Sequence, residues 1–189
     1  MKKAEYRDFY KQKRLSISDQ NKELMDQQIL DQLIAMQWSD IKYLHIYLPI
    51  QKFKEPDTLN FVSFLKESFS DLKIVISKTD FATNEMVNFL WDEDLVLEEN
   101  KWGILEPLDG KLIEESEIDV VLVPMLVADL KGNRVGYGKG FYDRFLSKCR
   151  SSVKTIGLSF FEPVDKIDDV ENWDIPINSL VTPQRVYSF

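Results

Sequence analysis

The run at residues 119–124, DVVLVP, constrains the fold more than any other part of the sequence. Consecutive apolar and β-branched residues without polar alternation do not suit a strand with one wet face. They read as a strand buried on both faces, and such strands belong to sheets covered by helices on each side. The rest of the chain supplies the covers. Residues 2–15 read as a surface helix with a thin apolar stripe of Tyr6, Phe9 and Tyr10. Ser18 is placed to cap a second helix over about 19–37, in which Leu24, Ile29, Leu33 and Met36 recur at helical spacing. Residues 42–48, KYLHIYL, read as a strand ended by Pro49, and Asp57 or Thr58 opens a helix carrying Leu59, Val62 and Leu65. Residues 72–76 return as a buried strand, and weaker strand-like pieces follow at 86–91 and 95–97. After the 119–124 run, residues 136–144 lead from a glycine-rich loop into a helix, and 153–158 supply another strand.

Helices alternating with buried strands predict an α/β protein of three layers, α/β/α, around a mostly parallel doubly wound sheet. Ligands in such folds bind beyond the carboxyl ends of the strands. A chain of 189 residues with 44% hydrophobic content suits one domain spanning residues 1–189, and no Pro-rich or Gly/Ser-rich linker divides it. The apolar runs are far shorter than the roughly 20 residues that cross a bilayer, so no membrane partner is expected. The charged N-terminus lacks the apolar core of a secretory signal, and the single cysteine, Cys149, offers neither a disulfide nor a metal cluster. A cytoplasmic location is expected. The net charge of −8 argues against an extended nucleic-acid face.

Positive charge gathers in one place. Between residues 131 and 144 stand Lys131, Arg134, Lys139 and Arg144 against the single acid Asp143, which suits a small anionic ligand. Within it, RVGYGKGFYDR alternates Gly136, Gly138 and Gly140 with Tyr137 and Lys139 just before a helix. Glycines admit close approach of a phosphate, and the helix N-terminus adds partial positive charge. Arg134 and Lys139 suit the β- and γ-phosphates, and Asp143 suits a magnesium ion, which prefers oxygen ligands. The spacing fits neither the P-loop nor the dinucleotide fingerprint, so a purely structural turn fits these residues as well. The only histidine, His45, lies mid-strand and reads as structural.

The longer segment PMLVADLKGNRVGYGKGFYDRFL resembles the signature of the 5-formyltetrahydrofolate cyclo-ligase family. Other landmarks follow in family order across essentially the whole chain. Lys3 and Arg7 resemble its Lys-x-x-x-Arg pair, and Glu55-Pro56-Asp57-Thr58 its Glu-x-Asp-Thr motif. Residues 102–107, WGILEP, resemble its Gly-Ile-Pro-Glu-Pro loop, and Trp173-Asp174 its His-Asp motif. The resemblance implies a fold similar to the NagB/RpiA/CoA-transferase-like group. It implies an ATP site at Lys3, Arg7, Arg134 and the run Gly136, Tyr137, Gly138, Lys139, Gly140, Phe141 and Tyr142. It implies a folate site at Leu48, Glu55, Trp102, Tyr137 and Phe141, and magnesium held by Asp143 and Asp174. Lys139 and Arg134 would carry the catalytic charge.

The reaction so implied closes 5-formyltetrahydrofolate to 5,10-methenyltetrahydrofolate with ATP as co-substrate. The formyl oxygen takes the γ-phosphoryl group to give an iminium phosphate, nitrogen 10 adds, and phosphate leaves. No obligate protein partner is expected. The alternative is a non-catalytic folate- or nucleotide-binding relative on the same fold. Three departures stand out: Phe141 replaces the first tyrosine of the signature, Leu105 replaces a loop proline, and Trp173 stands where histidine is usual.

Overall fold

The structure, a computed structural model, describes residues 1–80, 82–100 and 104–189. The chain begins with helices α1 (Lys3–Leu15) and α2 (Asp19–Ile34), then strand β1 (Tyr43–His45), helix α3 (Leu59–Ser68), and strands β2 (Lys73–Asp80) and β3 (Glu85–Leu90). Strands β4 (Leu97–Glu99) and β5 (Leu105–Pro107) form an antiparallel pair of their own. The buried strand foreseen at 119–124 is β6 (Val120–Pro124), followed by the small antiparallel pair β7 (Val127–Ala128) and β8 (Arg134–Val135). Helix α4 (Phe141–Lys148) and strands β9 (Lys154–Leu158), β10 (Ser179–Val181) and β11 (Val186–Ser188) complete the chain.

The main sheet runs β11-β10-β9-β6-β1-β2-β3. Its five inner strands are parallel, and only the edge strands β3 and β11 run antiparallel to their neighbours. The burial of β6 explains its composition. Val120 and Leu122 join the core that holds Ile29, Leu33, Phe61 and Leu65, and Val121 and Val123 join the opposite core with Phe145 and Leu146. The first four of the five β6 side chains are 2% exposed or less, so each face of this strand is covered by helix, as the absence of alternation predicts. Helices α1, α2 and α3 thus serve one face of the sheet and α4 the other.

Several expectations need correction. Helix α2 stops at Ile34, earlier than the spacing suggested, and Leu24 is 59% exposed. Only its second half, through Ile29 and Leu33, reaches the sheet; its first half faces the 54–57 loop, where Lys54 joins Asp19 and the Asp57 amide donates to Asp26. Phe9 likewise points to solvent, leaving Tyr6 and Tyr10 as the buried part of the α1 stripe. Strand β1 is shorter than the apolar run 42–48. The Ile46 amide still donates to the Val75 carbonyl, but the Tyr47 carbonyl is taken from the ladder by the Thr58 hydroxyl at 2.7 Å. The chain therefore turns out of the sheet at Tyr47 despite its strand-favouring composition. Ser18 caps α2 as expected, accepting from the Asn21 amide at 3.3 Å. Among the described residues no helix is long and apolar enough to cross a membrane.

Strand β1 has β2 on one side and β6 on the other, so the chain leaves these neighbouring strands in opposite directions. A crevice forms at such a switch point, beyond the carboxyl ends of the strands.

Candidate active site

That crevice is a cleft of about 1250 Å³. One wall is α1 together with the 134–140 loop. Lys3 and Arg7, one helical turn apart, both reach the cleft. The Arg7 Nε donates to the Gly136 carbonyl at 2.9 Å, and its guanidinium lies against Gly138, where a Cβ would come 3.0 Å from Arg7 Cζ. Gly138 has φ +84°, so both its conformation and its neighbour exclude a side chain. A Cβ at Gly136 would meet nothing within 4 Å, so the backbone there stands open to the cleft. Gly140, at φ +68°, turns the chain into α4. Lys139 is exposed on this loop, and its ammonium has no hydrogen-bond or ion-pair partner among the described residues.

The two carboxylates expected to hold metal each meet a cation. Arg134 donates to Asp143 at 2.7 Å and also to the Ile175 carbonyl, and Asp143 accepts the Ile175 amide at 3.1 Å. Asp174 pairs with Lys3 and accepts the Glu171 amide at 2.6 Å. These pairs tie α1, β8, α4 and the 171–175 segment into one wall. No group of three or more His, Cys, Asp or Glu side chains poised for a metal occurs among the described residues. Asp143 and Asp174 offer oxygen donors, the type that magnesium takes.

The 46–58 loop also lines the cleft, and Tyr137 of the glycine loop meets it directly. Glu55 is 2% exposed; its Oε2 accepts the Ile50 amide at 2.7 Å and its Oε1 accepts the Tyr137 hydroxyl. The Tyr47 hydroxyl donates to the Pro56 carbonyl at 3.0 Å, pinning the loop that presents Glu55. Burial raises the Glu55 pKa, and the Ile50 amide, the Tyr137 hydroxyl, Arg14 and Lys22 oppose that rise. Burial, and then the charge of Glu55, push the Tyr137 and Tyr142 phenols upward, so both remain hydrogen-bond donors. At the floor, His45 Nε2 lies 2.7 Å from the Ser77 hydroxyl, and burial drives its pKa down to about 3. The neutral imidazole is buried in strand β1, where the sequence placed it, and it also lines the cleft.

The structure gathers Lys3, Arg7, Leu48, Glu55, Arg134, all of 136–142, Asp143 and Asp174 around this one cleft. Trp102 lies outside the described residues. Phe141 lines the cleft without a hydroxyl, and the Arg144 guanidinium sits 5.4 Å from its ring centroid. Trp173 lines the mouth and is 70% exposed. Sequence reasoning missed Arg14, Tyr47 and Phe53. Phe53 stacks on Tyr137 with ring centroids 5.5 Å apart, and Arg14 is buried behind the same ring. A signal for Arg14 exists: Lys3, Arg7 and Arg14 are spaced by four and seven residues, which puts all three on one face of α1.

A doubly wound sheet whose switch-point cleft is lined by a cationic glycine loop and a buried carboxylate defines an α/β protein built around small polar ligands. Comparison with known proteins narrows the class. The model of the 5-formyltetrahydrofolate cyclo-ligase family matches residues 1–183. A mouse protein named 5-formyltetrahydrofolate cyclo-ligase is 32% identical over 162 residues, 74% of this chain and 77% of its own length. A protein of the same name from Mycoplasma pneumoniae is 26% identical over 92% of this chain and 93% of its own. The NMR structure of Aquifex aeolicus 5,10-methenyltetrahydrofolate synthetase matches with a TM-score of 0.84 and 25% identity, covering 100% of this chain and 93% of that one. The chain belongs to the 5-formyltetrahydrofolate cyclo-ligase family, a family of enzymes.

Proposed function

We propose that this protein closes 5-formyltetrahydrofolate to 5,10-methenyltetrahydrofolate at the expense of ATP and magnesium, with the nucleotide on the α1 and 134–140 wall and the pterin against Glu55. The observation that carries the reading is one cleft lined both by Lys139, a loop lysine whose ammonium has no hydrogen-bond or ion-pair partner among the described residues, and by the buried carboxylate of Glu55. Each wall suits one substrate. Open backbone at Gly136, the Lys139 ammonium and the nearby Lys3 and Arg7 are matched to a triphosphate, whose oxygens accept from N–H groups and cations. A carboxylate with two oxygens is matched to the adjacent amino and ring N–H donors of a pterin.

The chemistry needs both. An N-formyl group is an amide, and its oxygen leaves poorly until it is phosphorylated. The formyl oxygen attacks the γ-phosphorus, ADP departs, and the formyl carbon becomes an iminium carbon carrying a phosphate ester. The nitrogen 10 lone pair adds to that carbon and its proton passes to solvent. Phosphate then leaves with the C–O bonding pair, completing the amidinium of the methenyl product. The protein supplies positioning and positive charge around the moving phosphoryl group, the usual requirement of phosphoryl transfer. Lys139, the mobile cation, follows that group. Arg134 orients Asp143 through its ion pair. Asp143 and Asp174 would hold the magnesium, which neutralises charge on the phosphates.

The test is the near-ultraviolet absorbance of methenyltetrahydrofolate in a mixture of protein, 5-formyltetrahydrofolate, ATP and magnesium, with each component omitted in turn. The expected result is a rise that needs all of them. Binding of both substrates without any rise would overturn the reading in favour of a non-catalytic relative.

A further inference from the structure

Arg14 is 2% exposed, it does not line the cleft, and none of the proposed chemistry uses it. Its Nη1 donates to the Met125 carbonyl at 3.3 Å, and its Nη2 donates to the Tyr137 hydroxyl. That hydroxyl, accepting from Arg14, spends its one proton on Glu55 Oε1. The Arg14 Nε is buried without a hydrogen-bond partner among the described residues. A guanidinium kept out of water with one donor unmet is costly, and it persists where its charge is used by a neighbour. The neighbour in line is Glu55, itself nearly inaccessible and reached through a single phenol.

We propose that Arg14 is a positioning residue for folate recognition, the buried counter-charge that, through the Tyr137 hydroxyl, holds the Glu55 carboxylate ionised and aimed into the cleft. The inference rests on the reading of Glu55 as the pterin acceptor and deepens it. Among the groups that lower the Glu55 pKa, the Ile50 amide and the Tyr137 hydroxyl come first, and Arg14 is the first of the cations. The Tyr47, Tyr137 and Tyr142 phenols stay protonated, and each is a neutral neighbour. The Ile50 amide is a single neutral donor to the other oxygen. Lys22 is already paired with Asp26 at 2.5 Å. Burial alone would favour the protonated acid, which accepts fewer hydrogen bonds and so presents a poorer face to a pterin.

The consequence is a pH signature that loss of packing would not produce. In Arg14→Gln, Glu55 loses its buried counter-charge, so its pKa rises further and its ionisation comes to depend on pH. The KM for 5-formyltetrahydrofolate should therefore be raised roughly tenfold at pH 7, the scale of one lost charge-assisted hydrogen bond. It should fall back toward the wild-type value by pH 9, with kcat and the KM for ATP within about twofold of wild type throughout. Arg14→Lys, which keeps the charge, should restore the flat wild-type profile. Glu55→Gln should show a raised folate KM that does not change with pH. A folate KM for Arg14→Gln that parallels wild type from pH 7 to 9, or losses shared equally with the KM for ATP, would overturn the proposal. A wild-type folate KM in Glu55→Gln would overturn the Glu55 reading instead. If Arg14→Gln fails to fold, Tyr137→Phe decides: removing the linking hydroxyl must raise the folate KM at pH 7 by at least about threefold, and no rise would overturn the proposal.

Discussion

The two walls of the cleft handle charge in opposite ways. On the α1 and 134–140 side, several cations, the largely buried Arg134 side chain among them, are partnered by carboxylates and backbone carbonyls along the rim: Lys3 with Asp174, Arg134 with Asp143, Arg7 with the Gly136 carbonyl. On the 46–58 side the charge is a carboxylate sealed from water and steadied by a phenol and an amide. A rim of that kind suits a ligand that brings its own charge and leaves altered, because its groups can move with the ligand. A sealed carboxylate suits a ligand whose N–H pattern must be read, because fixed acceptors discriminate by geometry. On the proposed reading, the exposed Lys139 serves transfer and the buried Glu55 serves recognition.

The comparison breaks most visibly at Lys139. As the one rim cation without a partner among the described residues, it is free to follow the phosphoryl group, and Lys139→Ala should lower kcat by about 100-fold or more. Steady-state turnover checks this, and near-normal turnover would remove the functional contrast between the walls.

A smaller effect sharpens the comparison from below, at the cleft floor. His45 is neutral when folded, with its pKa near 3 against the ordinary 6.5. Below pH 6.5 the unfolded chain gains a proton there that the folded one does not, so stability falls as pH drops from 6.5 toward 3. The contribution is about 1.4 kcal/mol per pH unit. Urea unfolding between pH 7 and 5 should show this slope in the wild type, and His45→Gln should lack that part of it.

The same contrast governs what could be read from sequence. The candidate rim was legible because it is a local pattern: three alternating glycines, a lysine between them and a helix after them, within nine residues of one strand. The layered sheet was legible for the same reason, since the unbroken apolar run of β6 reports burial on both faces directly. Glu55 was legible only through its resemblance to a family motif, because nothing near it says it is buried. Its burial comes from Tyr47 and Thr58 turning β1 out of the sheet and from Tyr137 arriving 82 residues later. Arg14 sat within KQKR, which reads as solvated helix surface, and the partners that bury it, Met125 and Tyr137, are more than 100 residues away. The edge strand β11 and the small β7–β8 pair are two or three residues long, too short to carry a period.

The most direct test of a two-walled site is a pair of calorimetric titrations, one with a non-hydrolysable ATP analogue and magnesium, the other with 5-formyltetrahydrofolate, into wild type, Lys139→Ala and Glu55→Gln. Lys139→Ala should weaken the nucleotide analogue about tenfold and leave folate affinity unchanged, and Glu55→Gln should do the reverse. Either substitution weakening both ligands equally would contradict the division of the cleft into a nucleotide wall and a folate wall.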